Sequence, residues 1–157
     1  MFVWRLTRKA YAGDALDGEG SRRHGGRWNH VGSPMVYASG TLSLCVLEYL
    51  VNVSVNDLPN DLVSIQIQLP ENLPLTKISF KELPSDWRSF PSVEALKDIG
   101  TDWVADQKTA VLVVPSAVIP NELNYLINPL HPRTKDIRIE AVGSFTLDPR
   151  LFNKRRT

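Results

Sequence analysis

One cysteine, Cys45, is the only thiol in 157 residues. No internal disulfide can form, and its apolar neighbours suggest a buried thiol in a protein of a reducing compartment. Long apolar runs are also missing. The best two, residues 42–51 and 110–120, fall far short of the roughly 20 residues that cross a bilayer, and Glu48 and Ser116 interrupt them. Arg5 arrives before a signal-peptide core could form, so no membrane role and a cytoplasmic location are expected. There is no charge of one sign to speak of: 18 Lys and Arg face 17 Asp and Glu, for a net +1. Such a chain has no overall field that would recruit nucleic acid, and none is expected as a direct partner.

Several sequence signatures fail as well. Gly18-x-Gly20 is followed by Arg23 where a dinucleotide fingerprint needs a third glycine, and the spacing from Gly20 to Gly25 leads into Gly26, Arg27 and Trp28 rather than a phosphate-loop Lys and Ser or Thr. His24, His30, His131 and Cys45 make no ligand pattern, so no metal is expected. Ser116 lacks the Gly-x-Ser-x-Gly elbow of a hydrolase nucleophile.

What is present is ordinary in bulk and uneven in detail. At 43% apolar and 22% charged residues, the composition is that of a globular protein. The length suits one domain over 1–157, burying roughly 70% of its unfolded surface. Arg5, Arg8, Lys9, Arg22, Arg23 and Arg27 crowd the amino end against Asp14, Asp17 and Glu19, which favours a local anion site over an extended track. Lys154, Arg155 and Arg156 read as a solvated tail.

The pattern predicts a strand at 2–7, a long functional loop at 8–32 and a short strand at 34–39. A helix capped by Thr41 then runs to about Asn52. Residues 62–69 alternate, with Val63, Ile65, Ile67 and Leu69 on the buried face. A proline-punctuated connector leads to a helix at 92–107 weakened by Gly100, then to strands at 110–114, 124–128 and 137–147. The order is α+β, one mixed sheet with few helices.

Four residues read two ways. Glu48 stands among Leu44, Cys45 and Val51 at helical spacing. A carboxylate there is either a helix-edge partner of a nearby arginine or a group kept in an apolar setting for chemistry. Arg27 is a surface arginine beside a glycine turn or a fork for phosphate. The adjacent Trp28, a large aromatic in a polar loop, favours the second reading. Tyr37 is a core ring or a stacking surface, and Ser116 a turn serine or part of a site. Gly26 lets backbone approach a ligand closely.

Taken in order, Trp4-Arg5, Gly25-Gly26-Arg27-Trp28-Asn29, Val36-Tyr37-Ala38-Ser39, Leu47-Glu48, Val114-Pro115-Ser116-Ala117-Val118, Asn124-Tyr125-Leu126-Ile127-Asn128-Pro129 and Asp148-Pro149-Arg150-Leu151 resemble the RES domain family over nearly the whole chain. The family's Arg, Glu and Ser correspond here to Arg27 (or Arg5), Glu48 and Ser116. The resemblance implies an ADP-ribosyltransferase-like α+β fold with a mixed, mostly antiparallel sheet. It implies a toxin that consumes NAD as substrate by hydrolysis or phosphorolysis, or that ADP-ribosylates a cytosolic protein; a non-catalytic NAD-binding module is the other alternative. It also implies an Xre-type helix-turn-helix antitoxin as partner, and a second copy is a candidate partner in a homodimer. On that reading Arg27 holds the pyrophosphate, Arg5 adds charge or orients Glu48, and Tyr37 stacks on nicotinamide or ribose. Ser39 and the helix opening at Thr41 offer backbone donors to phosphate, and Asn128 contacts adenine or ribose.

Overall fold

The alternation at 62–69 sets the frame of the sheet. Strand β1 (Phe2–Arg8) and strand β3 (Leu62–Gln68) pair antiparallel along their full lengths, Phe2 opposite Gln68 and Arg8 opposite Leu62. Val63, Ile65, Ile67 and Leu69 enter one buried cluster with Val3, Val36, Ala38, Val111, Val113 and Ile127. Each valine, isoleucine and leucine among them contributes about 1.5–3 kcal/mol on burial. This is a computed structural model that describes residues 1–152; the Lys154-Arg155-Arg156 segment, read as a solvated tail, lies outside the described residues.

Five further strands complete one seven-stranded sheet: β2 (Val36–Ser39), β4 (Leu75–Lys77), β5 (Val111–Pro115), β6 (Leu123–Ile127) and β7 (Arg138–Ser144). Their order is β4-β5-β6-β2-β1-β3-β7. Every pairing is antiparallel except β4 with β5, so the sheet is mixed and mostly antiparallel, as the sequence predicts. β5 is buried at all five positions, consistent with its unbroken apolar run. β1 and β2 share a single registered pair, Trp4 with Ser39.

Helix α3 (Glu94–Asp106) lays Leu96, Trp103 and Val104 against Leu112, Val114 and Leu126, with Trp28 and Met35 between. Gly100 is the contact point of this layer. A Cβ there would overlap the Trp28 carbonyl oxygen and lie 3.1 Å from Met35 Cε. The glycine that weakens the helix in sequence terms is what lets the loop cross it. Among the described residues no helix is long and apolar enough to cross a membrane.

Helix α2 (Leu42–Leu50) begins as its cap predicts, the Thr41 hydroxyl accepting from the Leu44 amide at 3.1 Å, and ends two residues before Asn52. Cys45 on this helix packs with Leu6 and Leu62. Burial pushes its thiol up to about 12. In the native protein Cys45 is therefore expected to resist a thiol-exchange reagent at pH 8 and to react promptly in denaturant. Native reaction at the denatured rate would show that the thiol is not buried.

Two predicted stretches differ from what is seen. The stretch 8–32 is not all loop: it holds helix α1 (Glu19–His24), started by Asp17 Oδ1 accepting from the Glu19 amide and tied down by Ser21, whose hydroxyl donates to the Met35 carbonyl. The proline-rich connector holds β4, a three-residue edge strand created by its pairing with β5.

Candidate functional site

Glu48 stands on α2 above the place where β2, β5 and β6 meet. Ser116 follows directly on β5 and is fully buried. Its Oγ accepts from the amides of Val118 at 3.0 Å and Ile119 at 2.9 Å and donates to Glu48 Oε1 at 2.7 Å. A hydroxyl has one proton and two lone pairs, so Ser116 is fully committed. It is a donor to the carboxylate, and no lone pair is left for attack on a ligand. Ser116→Ala is expected to orphan two amides and one carboxylate contact. Each orphaned group costs about 1–3 kcal/mol, so the variant should show a clearly lowered midpoint in urea unfolding. An unchanged midpoint would mean that these bonds contribute nothing.

A second donor reaches the same oxygen. Asn124 Nδ2 lies 2.6 Å from Glu48 Oε1, and Asn124 Oδ1 accepts from Ser39 Oγ at 2.8 Å. Ser39 and Asn124 are direct partners in the β2–β6 register. Oε1 therefore carries two protein donors, while Oε2 has no protein partner among the described residues. Glu48 is neither fully buried nor exposed, and among the described residues no arginine pairs with it, which speaks against the helix-edge ion-pair reading.

The glycine-rich stretch is held from inside. Trp28 is 2% exposed and sits in the α3 cluster. Asn29, fully buried, donates through Nδ2 to the carbonyls of Ser21 and Ser33, both at 2.9 Å, and accepts at Oδ1 from the Tyr37 hydroxyl at 2.6 Å. The Tyr37 oxygen in turn accepts from the Trp28 amide at 3.0 Å. Burial raises the Tyr37 phenol well above its ordinary value, so it stays neutral, and both roles of its hydroxyl are taken. Only its ring is left for a ligand.

Arg27 is the side chain of this stretch that is not absorbed by the interior. Nη1 donates to the carbonyls of Trp87 at 3.0 Å and Ser89 at 3.1 Å, while Nε and Nη2 have no protein partner among the described residues. Burial lowers its pKa, and the charge of Glu48 opposes that shift. The two opposite charges thus influence each other, and among the described residues they form no ion pair.

Several expectations need correction. Gly26 does not leave room for a ligand: a Cβ there would meet the Tyr37 hydroxyl at 2.5 Å and Asn29 Oδ1 at 2.9 Å, so the space it opens is filled by the protein. Ser39, read for its backbone donor, has a side-chain role the sequence did not indicate: its hydroxyl donates to Asn124 Oδ1 at 2.8 Å. Asn128 is fully buried, donates to the Val104 carbonyl at 3.0 Å and accepts from the Leu130 amide at 2.9 Å. It locks a turn, and its fully buried side chain presents no surface for a ligand. Arg5 does not orient Glu48. Its Nη1 donates to the Tyr37 carbonyl at 3.0 Å, where β1 and β2 share their single pair, and burial lowers its pKa. Its buried Nε has no partner among the described residues.

Asn124 and Asn29, which organise the site, have no assigned role in the sequence reading. The available signal is polarity: each is an amide next to residues that enter the core. A cavity of about 460 Å3 lined by His24, Gly25, Gly26, Asn29, His30, Val31 and Lys97 borders the loop but includes neither Glu48 nor Ser116. We place the candidate site at Glu48 because charge and committed donors converge there.

Comparison with known proteins gives consistent results. The sequence profile of the RES domain matches residues 2–148. A Sphingobium sp. protein named Prs ADP-ribosylating toxin is 36% identical over 155 residues, 96% of this chain and 96% of the relative. Toxin Res of Photorhabdus laumondii subsp. laumondii is 38% identical over 160 residues, 99% of this chain and 100% of the relative. Among solved structures, a chain of the M. tuberculosis MbcT-MbcA toxin-antitoxin complex superposes with a TM-score of 0.76 at 19% identity, covering 96% of this chain and 85% of that one. At that identity the likeness speaks for the fold.

Proposed function

This chain belongs to the RES domain family of toxins, and on that premise we propose that it binds NAD and breaks the bond between nicotinamide and ribose. The observation that carries the reading is a carboxylate, Glu48, with one oxygen held by two donors and the other without a partner among the described residues; its charge also opposes the fall that burial imposes on the pKa of the Arg27 guanidinium.

The chemistry follows from the leaving group. Nicotinamide in NAD is already cationic, so its departure needs no strong general acid. The C–N bonding pair leaves with it and the ring becomes neutral. The ribose passes through an oxocarbenium-like state of the kind met in glycoside hydrolysis. The Glu48 carboxylate stabilises that positive charge and accepts from a ribose hydroxyl. Preorganised electrostatics of this sort are worth several kcal/mol in a water-poor site. The acceptor oxygen then bonds to the anomeric carbon and its proton passes to solvent. The unpartnered Nε and Nη2 of Arg27 suit the pyrophosphate. The Tyr37 ring, fixed through its hydroxyl, supplies an apolar surface for nicotinamide or ribose.

The acceptor separates two versions of this proposal. Water or phosphate would make the protein an NAD-consuming enzyme. The name of the Sphingobium relative, an ADP-ribosylating toxin, favours the second version, transfer to a protein side chain. Both break the same bond. The partner that restrains it is, in our reading, an antitoxin, in keeping with the toxin-antitoxin complex of the structural neighbour, and the family resemblance implies one with an Xre-type domain.

The test is to follow nicotinamide release from NAD by the purified chain in buffer, with inorganic phosphate, and with cell extract and adenylate-labelled NAD. Release in buffer indicates hydrolysis, acceleration by phosphate indicates phosphorolysis, and label on one protein band indicates transfer. No nicotinamide in any arm would refute the proposal.

A further inference from the structure

We propose that Asn124 is the positioning residue that aims Glu48 Oε2 at the substrate, and that Ser39 sets the polarity of the Asn124 amide. The inference rests on the NAD reading and deepens it by explaining why one carboxylate oxygen is left for the ligand.

The argument is one of hydrogen-bond polarity. An ionised carboxylate only accepts, so the asparagine must turn its Nδ2 toward Glu48. An asparagine on a strand has no intrinsic reason to choose that orientation. Ser39 provides one. Its Oγ lies 2.8 Å from Asn124 Oδ1 and donates to it, which leaves Nδ2 for Glu48 Oε1 at 2.6 Å. The two residues face each other because Ser39 and Asn124 are paired in the antiparallel register of β2 and β6. On the other side Ser116 Oγ accepts from two amides, at 3.0 and 2.9 Å, so its single proton also goes to Oε1.

Oε1 is thus gripped from two strands, β6 and the end of β5, and the carboxylate cannot rotate without losing both bonds. Rotation about the terminal torsion of a glutamate is otherwise broad and cheap. Fixing it turns a mobile charge into a preorganised one, and misplacement by about 1 Å costs on the order of 100-fold in rate. Asn124 and Ser39 act only through Glu48, so neither is a catalytic residue.

Three variants test this. Asn124→Asp keeps the shape and the acceptor for Ser39 but puts a second carboxylate against Glu48. Asn124→Leu removes the donor, and Ser39→Ala frees the amide to flip. Asn124→Asp and Asn124→Leu are each expected to lower kcat for NAD about 100-fold, with KM within about threefold. Ser39→Ala should lower kcat less, and adding it to Asn124→Leu should cost nothing further. An Asn124→Asp variant with wild-type kcat, or losses that multiply in the double variant, would overturn the assignment. A readout independent of activity is a crystal structure of Asn124→Asp. There the Glu48 carboxylate is expected to leave the position beside residue 124, and finding it unmoved would equally overturn the proposal. Absence of NAD turnover in the unaltered protein would refute the NAD reading instead, and the crystal structure would still decide whether Asn124 holds Glu48.

Discussion

Glu48→Gln is expected to cut nicotinamide release from NAD by on the order of 10³-fold while leaving the unfolding midpoint nearly unchanged. Glutamine has the shape of glutamate, and its amide oxygen can take the place of Oε1 beneath Ser116 Oγ and Asn124 Nδ2, which donate from 2.7 and 2.6 Å. No donor is orphaned, so the fold has little to lose. What changes is the group at the Oε2 position, where an NH2 presents the positive end of its dipole to a ribose that is itself becoming positive. Glu48→Ala is the informative contrast. It removes the same charge but strips two donors of their acceptor, buried Ser116 and half-buried Asn124, so it should also destabilise, by about 1–3 kcal/mol for the buried group and less for the other. Nicotinamide release and urea unfolding on the two variants separate chemistry from architecture. Retention of more than a tenth of the activity in Glu48→Gln would remove Glu48 from the reaction.

Glu48 was readable in the sequence for the same reason it is useful. A carboxylate among Leu44, Cys45 and Val51 at helical spacing is costly unless something holds it. What holds it was readable only in part. Ser116 follows a β-branched run and is marked by the family resemblance as the Ser of its Arg, Glu and Ser, and its hydroxyl does donate to Glu48. Asn124 appears as one polar position in a strand, and its role exists only once β2 and β6 are in register. The alternation in β3 and the Thr41 cap of α2 are local properties and could be read directly. β4 could not, because Leu75–Lys77 is exposed throughout and becomes a strand by pairing with β5. The helix at Glu19–His24 was hidden by its own glycine and by a tie that is tertiary, the Ser21 hydroxyl on the Met35 carbonyl. The Arg27 segment shows both cases at once. Its arginine, tryptophan and glycines signal a special loop, but Gly26 makes room for Tyr37 and Asn29 rather than for a ligand.

Gly100→Ala is expected to be the most damaging single-methyl change in the chain, and its sign is opposite to what helix propensity gives. In a helix interior alanine is favoured over glycine by about 0.8–1 kcal/mol, and Gly100 lies inside α3. The added methyl, however, would overlap the carbonyl oxygen of Trp28 and come within 2.9 Å of its carbonyl carbon. That obstacle is backbone, not a side chain that can swing away. Trp28 is anchored by a ring 2% exposed and by its amide on the Tyr37 hydroxyl, so the loop cannot lift without opening the α3 cluster. Overpacking of this kind costs about 1–3 kcal/mol and sometimes more. We expect a net loss of roughly 3 kcal/mol, or a Tm lower by about 6–12 °C for a chain of this size. Because residues 28 and 29 are neighbours of Arg27, any folded fraction should also bind NAD more weakly, a rise in KM rather than a fall in kcat. Gly20→Ala is the control: it too lies inside a helix, α1, yet nothing approaches its Cβ within 4 Å, so propensity alone should decide and the variant should be neutral or slightly stabilised. Equal melting temperatures for the two variants would show that α3 and the Trp28 backbone are not in the contact described.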